Sequence, residues 1–371
     1  MSESANLLEL IQEHLDDFCA TQKTDFAAIS EDLAPIVDYS QELMTGGKRF
    51  RALFAYWAWA STLPVATLKQ TPDQLAQSSE AMIGLTSALE MFHAAALVHD
   101  DILDQSDTRR GNPAVHKKFE KLHGDNFYAG SSERFGIAGG ILVGDLLLSW
   151  SSEIFGRAVA NAPTQAVQDA CRDEFAKMRI EVMAGQYLDV LEENAALTRP
   201  VHEAVGRANR VMLYKTAKYS IEAPMLIGAA FAGAESGLLR GFSAFGIPLG
   251  MAFQLRDDIL GVFGDPAVTG KPAGDDLREG KRTVLVGLTR ESLNPSVARV
   301  FDEMLTSRSL NAEQIQFLQQ TMIGCGAVAK TERMIEDLAN QSLEALSELE
   351  ISEAGKAQLR GLALKVINRD K

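Results

Sequence analysis

Hydrophobic positions recur at three- and four-residue steps along almost the whole chain. Leu7, Leu8, Ile11, Leu15 and Phe18 mark one such face, Ile315, Leu318 and Met322 a second, and Leu343, Leu346 and Leu349 a third. That period belongs to amphipathic helices. Sustained two-residue alternation is missing, and no Asn-Gly or Asp-Gly pair joins β-branched runs, so hairpins are not expected. Segments 81–98 and 137–150 are apolar around most of their circumference, which predicts central helices wrapped by others. Prolines stand mostly between periodic stretches, at Pro35, Pro64, Pro72, Pro113, Pro163, Pro200, Pro248, Pro266, Pro272 and Pro295, and read as helix boundaries. No low-complexity linker or fixed-period repeat divides the chain. The pattern predicts an all-α fold of ten or more helices in a single domain over residues 1–371, with residues 1–35 as a helical extension packed on it.

Composition adds exclusions. Hydrophobic residues make up 46% and charged residues 23%, the balance of a folded chain. Thirty-six Lys and Arg against 50 Asp and Glu give a net charge of −14, which argues against a nucleic-acid partner and an anionic membrane surface. Cys19, Cys171 and Cys325 are far apart and outside any Cys-x-x-Cys, as expected in a reducing compartment without structural zinc. Met1-Ser2-Glu3-Ser4 lacks a basic region and a hydrophobic stretch, so no signal peptide is expected. The longest uncharged apolar run, 223–234, contains Pro224 and is too short to span a bilayer. A cytoplasmic protein without stable membrane insertion is expected.

The chemistry begins at His99-Asp100-Asp101-Ile102-Leu103-Asp104. If the helix from residue 81 continues through this run, Asp100 and Asp104 stand one turn apart, with Asp101 beside them. Crowded carboxylates at the inner end of a buried helix need a cation, and an all-oxygen set selects Mg²⁺ over zinc. Met251-Ala252-Phe253-Gln254-Leu255-Arg256-Asp257-Asp258 repeats the arrangement. Two such helices facing each other would wall a cavity for several Mg²⁺ ions, whose remaining coordination suits phosphate oxygens. Basic residues beside glycines are placed to meet the same phosphates: Gly46-Gly47-Lys48-Arg49-Phe50-Arg51, Thr108-Arg109-Arg110-Gly111, Lys215-Thr216 and Gly270-Lys271.

Taken in order, with Gly185-Gln186-x-x-Asp189 and with Asp276 and Lys281 after Gly270-Lys271, these elements resemble the trans-isoprenyl diphosphate synthases, or polyprenyl synthetases. The chain looks most similar to bacterial geranylgeranyl diphosphate synthases, over roughly residue 36 to the C-terminus. The resemblance implies the isoprenoid synthase fold, a helical bundle with a central cavity, assembled as a homodimer. It implies Mg²⁺-dependent head-to-tail transfer of an allylic group (dimethylallyl, geranyl or farnesyl diphosphate) to isopentenyl diphosphate. Asp100 and Asp104 would bind two Mg²⁺ and Asp257 a third, with Asp101 and Asp258 in support. Arg109, Lys215, Thr216, Gln254, Lys271 and Lys281 would serve the allylic diphosphate, and Lys48, Arg51, His93 and Arg110 the isopentenyl diphosphate. Gln186, Asp189 and Asp276 would play supporting parts.

One departure stands out. The family's second motif commonly reads Asp-Asp-x-x-Asp, and here its last place is Gly261, with the next acid, Asp265, past the expected helix end. The second site is therefore expected to be one carboxylate poorer. Product length rests on the helix ending at Asp100. In the resembling enzymes a bulky residue four or five positions before the motif stops the tail at fifteen carbons, and here Ala96 and Ala95 leave it open. Phe92 lies three residues beyond Ala95, roughly 4.5 Å along a helix axis, or about one isoprene unit. Geranylgeranyl diphosphate is the expected product, with farnesyl or a longer polyprenyl diphosphate as alternatives. Outside the family, a terpene cyclase would leave Lys48, Arg51, His93 and Arg110 unexplained. A di-iron bundle would use the Glu-x-x-His pairs Glu90/His93 and Glu120/His123, the second of which is crowded towards loops by Gly111, Pro113 and Gly124. A silent regulatory subunit would be expected to lack the aspartates.

Overall fold

In the computed structural model, which describes residues 3–66, 70–264, 274–307 and 309–368, the expected helices form and fall into two packing units. Among the described residues the chain is all-α apart from one minimal ribbon, and the ten or more helices expected are present.

The first unit comprises Met1–Tyr56 and Leu68–Arg172. Helix α1 (Glu3–Ala27) buries the stripe Leu7, Ile11, Leu15 and Phe18 against α2 (Ala34–Met44) and α4 (Pro72–Leu103), the latter following α3 (Phe50–Thr62). A capping box starts α4: Thr71 Oγ1 accepts from Gln74 N–H, the Gln74 side chain accepts from Thr71 N–H, and Pro72 holds the first turn. Its middle is buried all round, through Met82, Leu85, Leu89, Phe92 and Ala95. After α5 (Val115–Asp125), α6 (Ser132–Val159) packs along it, and Ser151 Oγ donates to the Ala88 carbonyl at 2.7 Å.

The ribbon corrects the expectation of no hairpin. Thr108–Arg109 (β1) pairs antiparallel with Asn112–Pro113 (β2), and the two-residue turn is Arg110-Gly111 with φ +52° and +78°. Positive φ at both central positions is what a two-residue hairpin turn requires. Arginine takes the place usually held by Asn or Asp, so the pattern is invisible to a search for Asn-Gly.

The second unit comprises Trp57–Thr67 and Asp173–Lys371. It takes in most of α7 (Gln165–Ala195), then α8 (Ala204–Val211), a π-helical segment Met212–Glu222, α9 (Ala223–Phe231) and α10 (Ser236–Phe263). Helices α11 (Asp275–Glu279), α12 (Val284–Ser292), α13 (Pro295–Ser307), α14 (Ala312–Gly324), α15 (Ala327–Glu348) and α16 (Glu353–Ile367) complete it. Helix α10 runs through Pro248 instead of stopping there. Burial of Phe242, Phe245, Leu249 and Ala252 on either side holds the helix together against a local cost of about 3 kcal/mol. Ser342 Oγ, from α15, donates to the Phe245 carbonyl at 2.9 Å.

The apolar-run argument also needs amending. With up to two charges tolerated, the helices at Pro72–Leu103, Ser132–Val159 and Ser236–Phe263 are long and apolar enough to cross a membrane by length and composition. Within the protein, 72% of the most apolar stretch of the first is buried, and 39% in each of the others.

Candidate active site

Helix α4 continues through the first aspartate cluster, as its period predicts. The Asp104 N–H, at the C-cap, donates to the Asp100 carbonyl at 2.8 Å, so the two residues sit one turn apart. Asp101 is almost fully buried. Arg109 is the counter-charge: its Nε donates to Asp101 Oδ1 at 2.9 Å, Nη2 makes a second bond to the same oxygen, and Nη2 lies 3.6 Å from Asp100. A buried carboxylate held by a guanidinium in this way is a scaffold for its neighbours.

Positive charge converges beside it. A Cβ on Gly47, whose φ is +91°, would stand 3.1 Å from Arg110 Nη2, so only glycine lets that guanidinium lie over the Gly46-Gly47 loop. His93 is half-buried by area, yet packed round densely enough for desolvation to hold its imidazole well below the usual range. The charges of Arg51, Arg110 and Arg109 lower it further. Four cationic or potentially cationic side chains expected to handle diphosphate thus share one place. Lys48 is exposed on the same loop.

The second cluster has the opposite character. Asp258 is buried, and its carboxyl is pushed well above the usual range by burial, and further by Asp276, Asp257 and Asp189; the Gln254 hydrogen bond opposes this. Gln254 Nε2 donates to Asp258 Oδ1 at 2.8 Å, and Thr216 Oγ1 donates to Gln254 Oε1 at 2.7 Å. Lys215 reaches Asp189 at 2.6 Å, and Lys281 bridges Asp189 at 3.4 Å and Glu193 at 2.9 Å. Among the described residues, the carboxyl groups of Asp189, Glu193, Asp257, Asp258 and Asp276 gather with Lys215 and Lys281, a set whose oxygens suit a divalent cation. Gln186 is half-buried on α7, one turn before Asp189.

Glycines shape this cluster. A Cβ on Gly185 would come within 2.4 Å of Lys215 N, and one on Gly250 within 2.5 Å of Ala217 Cα. The π-helical segment carrying Lys215 and Thr216 therefore packs backbone-to-backbone on α7 and α10. A π-turn at such residues is a common device of functional sites. The Asp276 carboxylate lies where a Gly261 Cβ would stand, 2.1 Å from its Oδ2. An aspartate on α11 thus occupies the space beside position 261.

Lys271 and Asp265 lie outside the described residues. Phe92 and Ala95 are buried and Ala96 half-buried on α4. The pair Glu120/His123 sits on α5, not in a loop, but Glu120 is bound by Lys117 at 2.9 Å and His123 Nε2 is 3.2 Å from the Ala129 carbonyl. Among the described residues, no three His, Cys, Asp or Glu side chains converge into a ready-made metal cage. The oxygen-only donors at both clusters still fit Mg²⁺, which takes few carboxylates and completes its shell with phosphate and water. Sequence reasoning missed Glu193, and it did not separate Arg49 from its basic neighbours; partnership across long sequence distances leaves no local pattern.

The chain matches the polyprenyl synthetase family over residues 30–322. It is 32% identical over 288 residues to the geranylgeranyl diphosphate synthase of Sulfolobus acidocaldarius, covering 77% of this chain and 76% of that one. To the geranylfarnesyl diphosphate synthase of Aeropyrum pernix it is 34% identical over 244 residues, 66% of each chain. The solved structure of a geranylgeranyl pyrophosphate synthase from Corynebacterium glutamicum, complexed with isoprenyl diphosphate and magnesium, superimposes with a TM-score of 0.88 at 34% identity over 98% of both chains. With the isoprenoid synthase fold and the family's motifs both in place, the chain belongs to the polyprenyl synthetases, a family of prenyltransferases.

Proposed function

We propose that this chain condenses isopentenyl diphosphate head-to-tail with allylic diphosphates, using Mg²⁺, and stops at geranylgeranyl diphosphate. The observation that carries the reading is the gathering of Arg51, Arg109 and Arg110 around His93 at the aspartate-rich end of α4. A cyclase, with one diphosphate to ionise, has no use for it.

Asp100 and Asp104 would hold two Mg²⁺ and Asp257 a third; bound there, the ions supply the electrophilic pull on the departing allylic diphosphate. Asp101 holds Arg109, and by the family resemblance Arg109, Lys215, Lys271 and Lys281 would add positive charge for the allylic leaving group. Lys48, Arg51, His93 and Arg110 would hold the diphosphate of the isopentenyl partner. Asp258 draws the Gln254 NH₂ group to itself, which leaves the amide oxygen to accept the Thr216 proton. The Thr216 oxygen then presents lone pairs to a nearby allylic cation. Attack by the isopentenyl double bond forms the new carbon–carbon bond, and the proton lost afterwards leaves with the released diphosphate. No side chain is assigned as its base.

Ala95 and Ala96 are too small to stop a tail running along α4, and Phe92 is the first large side chain beyond them, which supports a twenty-carbon product. Helix α7 also exposes Ile180, Met183 and Tyr187 at 70, 52 and 66%, one helical face suited to a second copy of the chain. The test is incubation with Mg²⁺, isopentenyl diphosphate and each of the dimethylallyl, geranyl and farnesyl primers, followed by chromatographic sizing. Geranylgeranyl diphosphate should dominate, Phe92→Ala should release longer chains, and Ala95→Phe should shorten them to farnesyl diphosphate. No product from any primer would sink the reading; an unchanged distribution in Phe92→Ala would remove its twenty-carbon part.

A further inference from the structure

The Gly46–Arg51 loop alternates in exposure: Lys48 lies open to solvent, while Arg49 beside it is 7% exposed. A buried guanidinium must find acceptors, and this one finds them away from the diphosphate residues. Arg49 Nη2 donates to the Met44 carbonyl at 2.8 Å, at the end of α2, and to Gln12 Oε1 on α1. Its backbone is left-handed, with φ +46°, following Gly46 at +75° and Gly47 at +91°. A side-chain-bearing residue holds that conformation only where its surroundings impose it, and such strain gathers at functional loops. The start of α3 is fixed too, because Ala52 N–H donates to Glu90 on α4 at 3.2 Å. Helix α1 ends at Ala27, before the family match begins at residue 30, so Gln12 contributes from outside the family's shared core.

We infer that Arg49 is a positioning residue, and that its clamp to Gln12 makes the N-terminal helix part of the machinery that presents Lys48 and Arg51 to the isopentenyl diphosphate. The inference rests on the assignment of Lys48 and Arg51 to that substrate. With the clamp in place the loop enters α3 in one geometry. Without it, two residues of left-handed glycine backbone are free to reorient the lysine. The allylic substrate is served by other residues, so the effect is selective.

Steady-state kinetics of the full chain test this, with each substrate varied in turn for Gln12→Ala, Gln12→Glu, Arg49→Lys and Lys48→Ala. Gln12→Ala should raise KM for isopentenyl diphosphate about tenfold, the scale of one charge-assisted hydrogen bond. The allylic KM should move less than about twofold. Gln12→Glu, which keeps an acceptor for the guanidinium, should restore the isopentenyl KM, whereas Arg49→Lys, which lacks the fork, should resemble Gln12→Ala. If Lys48→Ala raises this KM and Gln12→Ala does not, the clamp is overturned while the subsite stands. Should Lys48→Ala leave it unchanged, the subsite assignment fails first and the clamp with it. Equal rises in both KM values, with a fall in melting temperature, would reduce Arg49 to a structural residue.

Discussion

The two aspartate-rich helix ends look alike in sequence and are opposites in electrostatics. At the end of α4, buried Asp101 is bound by the Arg109 guanidinium, and Arg51, Arg109 and Arg110 press on a His93 held neutral. At the end of α10, buried Asp258 accepts from the Gln254 amide and faces Asp257, Asp276 and Asp189. In the first place arginines gather beside the carboxylates; in the second, among the described residues, carboxyl side chains crowd one another. A paired-aspartate motif therefore says little until its neighbours are known: the same two letters stand beside an arginine cluster in one unit and among further carboxyl groups in the other.

The largest expected effect comes from removing the aspartates themselves. Asp100→Ala and Asp104→Ala should each lower turnover by about three orders of magnitude or more, as loss of several kcal/mol of leaving-group stabilisation requires. Asp257→Ala should do the same, while folding is retained in all three. Calorimetric titration with inorganic diphosphate sharpens the contrast. Without Mg²⁺, binding should survive Asp257→Ala and fall sharply in Arg51→Ala. Near-wild-type turnover in any aspartate variant would break the comparison.

Next in size is Gly185→Ala. The new methyl group would meet the backbone of Tyr214 and Lys215 at 2.4 to 2.8 Å, and backbone cannot swing aside. Overpacking of this kind costs about 1–3 kcal/mol, and displacing Lys215 and Thr216 by an ångström should lower kcat about a hundredfold. Gly206→Ala, with nothing within 4 Å, is the control and should leave both stability and rate intact. Melting curves and turnover of the two variants decide the matter.

Gly261→Asp restores the commoner motif and should nevertheless harm. Its Cβ would displace the Asp276 carboxylate, so the Mg²⁺ concentration for half-maximal rate should rise, by about tenfold on the scale of one charged contact. A lower Mg²⁺ requirement would show that Asp276 is no substitute and that the second cluster is indeed a carboxylate short.

These cases also mark what was legible in the sequence. The period of α4 carries straight through to Asp104, and the aspartates, the arginine pair and the glycines around Lys48 could be read because each is a local pattern. The π-helical segment could not be read: Gly185 and Gly250, which pack against its backbone, lie dozens of residues away. Pro248 misled because local breaker strength was weighed without the burial around it. Arg110 hid a turn because it holds a left-handed position by virtue of its place between β1 and β2. Asp276 filling the space at Gly261 is a tertiary contact, which no spacing rule encodes.

The smallest expected effect concerns pH, and it probes the anion-seeking cluster alone. Burial and the nearby guanidiniums hold the folded-state pKa of His93 well below 6.5, while the unfolded chain titrates near 6.5. Below pH 6.5 the unfolded state therefore binds the extra proton first, so this contribution to stability is intact above pH 6.5 and is lost as pH falls beneath it. The slope is at most about 1.4 kcal/mol per pH unit, so urea unfolding at pH 7.5 and 5.5 should show a loss of about 1 kcal/mol from His93. His14 and His116 are lowered too, so the quantity to read is the difference between the wild-type protein and His93→Asn. The variant should lose less stability on acidification. Saturating inorganic diphosphate should flatten the wild-type slope as well, because an anion among Arg51, Arg109 and Arg110 would offset their charges and let the imidazole take its proton in the folded state. If diphosphate leaves the slope unchanged, the anion does not sit at His93, and the opposition between the two aspartate-rich ends loses its first half.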